Sequence, residues 1–198
     1  MFLVVKKSGA RATSAANLSS FGLDDGAPLL APPPVSTEFT DDLQVLTSQP
    51  EVVQATIAVA GMAQRLVSMV TPTMEPGLYD QPAFLDVLKR LVLGQRFARV
   101  RILLRDQSAM SSNHNQFVLM VRRLTGHVEV RRLTGVHREQ HAGYFIADDR
   151  ALVYRIRADR WEGIASLQSP LLARQYLQEF DRLWQACAPD VPARKAYR

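Results

Sequence analysis

His141-Ala142-Gly143-Tyr144-Phe145-Ile146-Ala147-Asp148 is the stretch on which the fold turns. Tyr144 to Ala147 is a short apolar run with no charge, and a run of that kind bounded by turn residues reads as a buried strand. It sets a histidine at the strand's mouth and an aspartate seven residues later at its far end. Asp148-Asp149-Arg150 reads as a turn, because an aspartate side chain can bond the backbone two residues on, and Leu152 to Ile156 reads as the returning strand of a hairpin.

Working outward, the upstream chain alternates helix and strand. Leu43-Gln44-Val45-Leu46 reads as a short strand entering the domain. Ser48-Gln49-Pro50-Glu51 has the spacing of a capping box with proline in the first turn and predicts a helix through about Leu66. Val67 to Thr71 reads as a strand stopped by Pro72, and Asp80 is expected to cap a helix carrying Phe84, Leu88, Leu91 and Val92, with Asp86 facing Lys89 or Arg90. Val100 to Arg105 is a further strand. A helix from near Asn113 buries Phe117, Met120, Val121 and Leu124 and ends before Gly126. Val128 to Leu133 follows as a strand, and Ser169-Pro170 opens a last helix with the stripe Leu172, Tyr176, Phe180, Leu183, Trp184 and Cys187. Strands linked by helices predict an α/β domain, its sheet mixed but mostly parallel and flanked by helices on both faces.

The 198 residues allow about one domain and a tail. Residues 1–36, rich in Ser, Ala, Gly and Pro and including Ala31-Pro32-Pro33-Pro34, read as a flexible tail, and 37–198 as the domain. At 47% apolar and 22% charged, the chain is neither collagen-like nor wholly disordered. Cys187 is the single cysteine, so an intrachain disulfide or multi-cysteine metal site is excluded, and a reducing cytoplasm is the expected compartment. The start lacks the pattern of an export signal, and the apolar stretch Val52 to Val70 is broken by Gln54, Gln64, Arg65 and Ser68, so no membrane span is expected. The net charge of +5 divides unevenly: residues 1–50 sum to −2 and the rest to +7. A basic domain favours a polyanionic partner.

The segment 141–148 resembles the hallmark of the phospholipase D superfamily, in which His-x-Lys is followed by four residues and Asp. The resemblance extends over about residues 40–190, with the strand ending Thr71-Pro72, the Arg-rich strand 100–106 and the ending Glu179-Phe180-Asp181-Arg182-Leu183-Trp184. More narrowly the chain is similar to uncharacterised proteobacterial domains of phospholipase D-like type, a family sometimes joined to acetyltransferase domains; no such domain is evident here. The superfamily implies a histidine that attacks phosphorus, a lysine that neutralises phosphate oxygens and a supporting aspartate, with two motifs needed per active site. His141 and Asp148 fall at the matching catalytic positions, but the lysine position is Gly143. A glycine supplies no cation, and losing one such electrostatic donor costs about 3–4 kcal/mol of transition-state stabilisation. The downstream Gly-Ser-x-Asn is replaced by Arg155-Ile156-Arg157-Ala158, and no second motif occurs.

Plainer readings stand beside these roles. His141 reads equally as a loop histidine before a strand, and Asp148 as turn chemistry. His137 and His141 are four apart, but no helix is indicated there to present them to a metal, and no metal site or cofactor is expected. Cys187 sits on a core stripe. No Gly-rich phosphate loop or Gly-x-Ser-x-Gly elbow occurs, which disfavours nucleotide hydrolysis and serine hydrolase chemistry. Twenty of the 24 basic residues are arginine, suited to bidentate phosphate contact and equally the product of a GC-rich genome. Arg131, Arg132, His137 and Arg138 are the expected phosphate-binding set, with Arg122 and Arg123 nearby or complementing a helix C-terminus.

The sequence therefore predicts a bacterial, cytoplasmic phospholipase D-like domain that has lost catalysis and binds a partner, nucleic acid first among phosphate-bearing candidates or else a protein. The alternatives are a homodimeric phosphodiesterase or nuclease using His141, and a structural domain tethered by its tail.

Overall fold

The computed structural model describes residues 43–187 apart from 112, 113 and 140. The expected tail, its proline run and the helix start at Asn113 lie outside the described residues. The chain runs β1 (Gln44–Leu46), α1 (Gln49–Met62), β2 (Leu66–Thr71), the one-turn α2 (Pro76–Tyr79), α3 (Pro82–Gly94), β3 (Arg99–Leu104), α4 (Gln116–Arg123), β4 (Val128–Arg132), β5 (Gly143–Ala147), β6 (Ala151–Arg155), β7 (Gly163–Ser166) and α5 (Pro170–Ala186). Short 3-10 turns occupy Gln107–Ser111 and Gly135–Glu139.

The strands form one sheet in the order β1-β7-β6-β5-β2-β3-β4. It is the expected mixed sheet of an α/β domain, but the balance falls toward antiparallel. Only β2 with β3 and β3 with β4 pair in parallel. The pairings of β2 with β5, β5 with β6, β6 with β7 and β7 with β1 are antiparallel. The cause is connection length: α3 and α4 supply the crossovers that parallel neighbours need, whereas a tight turn joins β5 to β6 and a short loop joins β6 to β7.

Side-chain alternation sorts the core into two layers. Val67, Met69, Val100, Ile102, Phe145 and Val153 face α1, α3 and α4. Val70, Leu103, Tyr144, Ile146 and Leu152 face α5 through Ala173, Tyr176, Phe180, Leu183 and Trp184. The α5 stripe is the one its spacing predicts, and Cys187 closes it, buried.

Helix ends depart from the sequence reading in instructive ways. Ser48 caps α1 without a side-chain bond, because the Glu51 carboxylate instead accepts from the Thr47 amide at 2.7 Å and hydroxyl at 3.0 Å. Asp80 lies two residues before α3 and accepts from the Phe117 amide at 3.0 Å, so it serves the start of α4 instead. Asn115 completes that start by accepting from the Val118 amide at 3.0 Å.

Two strand arginines tie α5 to the sheet. Arg101 donates to Asp181 Oδ1 at 2.7 Å and to the Ser68 hydroxyl at 2.9 Å, with its guanidinium 4.8 Å from the Phe180 ring centre. Arg131 donates to the carbonyls of Trp184 at 2.7 Å and Cys187 at 3.2 Å while lying 4.2 Å from the Trp184 ring centre. A guanidinium at a helix C-terminus satisfies carbonyls that have no partner within the helix.

Candidate functional site

The motif strand β5 runs antiparallel to β2, so its N-terminal end lies beside the C-terminal ends of β2 and β3. The hairpin register places Gly143 directly opposite Arg155, one step past the Val70–Tyr144 pair of β2 and β5. Thr71, Gly143 and Arg155 therefore form a row across three strands, on the face that Phe145 and Val153 share with α1 and α3.

Gly143 has no side chain, and the Arg155 guanidinium occupies the vacated space. A Cβ at 143 would lie 2.9 Å from Ala158 Cβ and 3.3 Å from Arg155 Nη2. Gly163 makes room on the other side, where a Cβ would meet the Tyr154 carbonyl at 2.4 Å and Arg155 Cγ at 3.0 Å. Arg155 is 2% exposed. Its Nη2 donates to both Glu75 oxygens, at 2.9 and 2.7 Å, and its Nη1 donates to the carbonyls of Ala158 at 2.8 Å and Arg160 at 3.2 Å. The Thr71 hydroxyl stands 2.6 Å from both Glu75 Oε1 and the Thr73 carbonyl. Burial, reinforced by the Glu75 charge, pushes the neighbouring Tyr79 hydroxyl well above its ordinary pKa. Trp161 covers the guanidinium, its ring centre 5.4 Å away. Arg155, the cation opposite Gly143, is thus held in a buried ion pair with both terminal nitrogens already committed.

His141 is exposed at the mouth of β5, where its carbonyl accepts from the Ala158 amide at 2.8 Å. Asp148 is at the other end of the strand with φ of 53°, a left-handed conformation that aspartate tolerates. Its carboxylate accepts from the amides of Gln64 at 2.8 Å, Arg65 at 3.0 Å and Leu66 at 2.9 Å, fixing the entry to β2. A concavity of about 180 Å³ at that end is lined by Gln64, Arg65, Asp148, Asp149 and Arg150, far from His141 along the strand.

Of the expected phosphate-binding set, Arg131 has turned toward α5, where its contacts are with helix carbonyls, the Trp184 ring and Glu129. Arg132, at the end of β4, and Arg138, in the following 3-10 turn, are exposed, with His137 half-buried. Among the described residues no group of three or more His, Cys, Asp or Glu is placed to hold a metal ion.

The sequence model of a domain family of unknown function, DUF7931, matches residues 48–195. This chain belongs to that family. No curated protein matches it in sequence. In structure, this DUF7931 member resembles TrmBL2, an archaeal chromatin protein with a novel mode of DNA binding, at a TM-score of 0.54 and 14% identity; the match covers 77% of this chain but only 56% of that one. It also resembles Nuc of Salmonella typhimurium, a phospholipase D family member, at a TM-score of 0.53 and 12% identity over 76% of this chain and 98% of that one. The fold is similar to the one that Nuc and TrmBL2 share. No described helix is long and apolar enough to cross a membrane.

Arg155 and Glu75 are the residues that sequence reasoning missed. The signal for Arg155 was present, since a turn centred on Asp149 pairs 143 with 155, and an arginine there faces a glycine. Glu75 had none, being 80 residues away in a loop.

Proposed function

We propose that this domain is a non-catalytic phospholipase D-like binding module for a phosphate-bearing partner, with nucleic acid the favoured class. The observation that carries the reading is the buried Arg155–Glu75 pair lying over Gly143. Opposite the position where the superfamily places its lysine, the chain holds a cation already neutralised and enclosed. A phosphoryl group there would have to compete with the Glu75 carboxylate for Arg155, and breaking a buried pair costs about 3–5 kcal/mol. Support for a polyanionic partner comes from the +7 balance of residues 51–198, and the fold shared with a DNA-binding chromatin protein is consistent with it. The dimeric phosphodiesterase alternative gains nothing from symmetry, since each copy would bring the same enclosed arginine. The test is equilibrium binding of labelled single- and double-stranded oligonucleotides across a salt series. Retention at low salt that weakens steeply as salt rises is expected; no binding at low salt would overturn the reading.

A further inference from the structure

The other end of the sheet carries a different surface. Between Val87 and His127 the sequence holds eight lysines and arginines and a single carboxylate, Asp106. The topology gathers several of these cations at the N-terminal ends of the three parallel strands. The Arg99 amide donates to the Arg65 carbonyl at 2.8 Å, and the Val100 amide to the His127 carbonyl at 2.8 Å, so the entries to β2, β3 and β4 stand side by side. The loop from α3 into β3 places Arg96 and Phe97 next to this row. Phe97 is 77% exposed, and the Arg96 guanidinium lies 5.7 Å from its ring centre. Leu93, also 77% exposed, precedes it beside a shallow open groove lined by Ile57, Val87, Lys89 and Arg90. Among the described residues no side-chain ion pair engages Arg65, Arg96 or Arg99, although Asp148 and Asp149 line the concavity beside Arg65.

Resting on the binding reading above, we infer that single-stranded nucleic acid docks on this edge, with a base on Phe97 and backbone phosphates on Arg65, Arg96 and Arg99. An exposed aromatic ring among guanidiniums combines the two elements of sequence-tolerant single-strand binding, a stacking platform and a cationic track. A duplex offers no free base face to the ring. A lipid surface would call for a broad apolar face, whereas this edge presents two bulky apolar side chains among cations.

The experiment measures anisotropy of a labelled single-stranded oligonucleotide with the full chain, comparing Phe97→Ala and the double variant Arg96→Ala/Arg99→Ala with a control double variant, Arg132→Ala/Arg138→Ala. All four arginines and Phe97 are exposed, so melting curves close to the parent are expected and establish folding. Phe97→Ala should weaken binding about tenfold. The Arg96/Arg99 variant should flatten the slope of log affinity against log salt by about 1.4, the contribution of two single-strand phosphates. Loss confined to the Arg132/Arg138 variant would overturn this placement while leaving the binding reading intact. Absence of oligonucleotide binding by the parent would overturn both. Binding to anionic vesicles in preference to the oligonucleotide, with Phe97→Ala abolishing it, would overturn the nucleic-acid assignment.

Discussion

At the scale of single residues, the glycine at 143 and the arginine at 155 are one arrangement rather than two departures. Reinstating a lysine by Gly143→Lys is therefore expected to fail: its Cβ would sit 2.9 Å from Ala158 Cβ, and the overpacking should lower stability by about 1–3 kcal/mol in urea unfolding without creating activity. Glu75→Gln strands the Arg155 cation and should cost about 3–5 kcal/mol, and Arg155→Met added to it should recover much of that loss. A double variant as unstable as the sum of the singles would deny the coupling. Asp148→Ala should cost about 2 kcal/mol in urea unfolding, since three amides lose a charged acceptor. The buried strand between His141 and Asp148 was legible in the sequence as a short apolar run. The Glu75 partner was not, because a loop residue meets a strand residue through tertiary structure alone, with no local period to announce it.

At the scale of elements, the docking of α5 decides what the strand arginines do. Phe180 is fully buried, stacked on Trp184 at 5.5 Å and lying beneath the Arg101 guanidinium. Phe180→Ala should cost about 3–5 kcal/mol in urea unfolding, with near-ultraviolet circular dichroism showing loosened packing around Trp184. Strands, hairpin and the α5 stripe could be read from periodicity, since each buries a face of its own. The antiparallel balance of the sheet was harder to read, because β7 is only four residues long and Gly-Ile-Ala-Ser announces no strand. The direction of Arg101 and Arg131 could have been inferred from alternation. Val100, Ile102 and Leu104 take one face of β3, so Arg101 shares the other with Leu103, under the closing helix. Charge suggested phosphate for Arg131, whose guanidinium instead meets the C-terminal end of α5.

At the scale of the whole molecule, the two ends of the sheet have diverged in character. The end with His141 holds an enclosed ion pair, while the opposite end gathers exposed arginines and Phe97. A further property of the fold as a whole is its sensitivity to alkali. Tyr79 and Tyr144 are each 2% exposed, and burial holds both hydroxyls above their usual pKa. The unfolded chain then releases these protons near pH 10 while the folded chain keeps them. Their contribution is complete below that pH and drains as pH rises, by up to about 1.4 kcal/mol per pH unit for each tyrosine. Urea midpoints measured between pH 9 and 12 should fall accordingly, and a flat profile would contradict this. The central claim, that the motif end is closed to phosphodiester chemistry, is tested most directly by incubating the chain and its His141→Ala variant with single- and double-stranded DNA and RNA and resolving the products. Intact nucleic acid from both proteins is the expected result; cleavage by the parent that disappears in His141→Ala would contradict it.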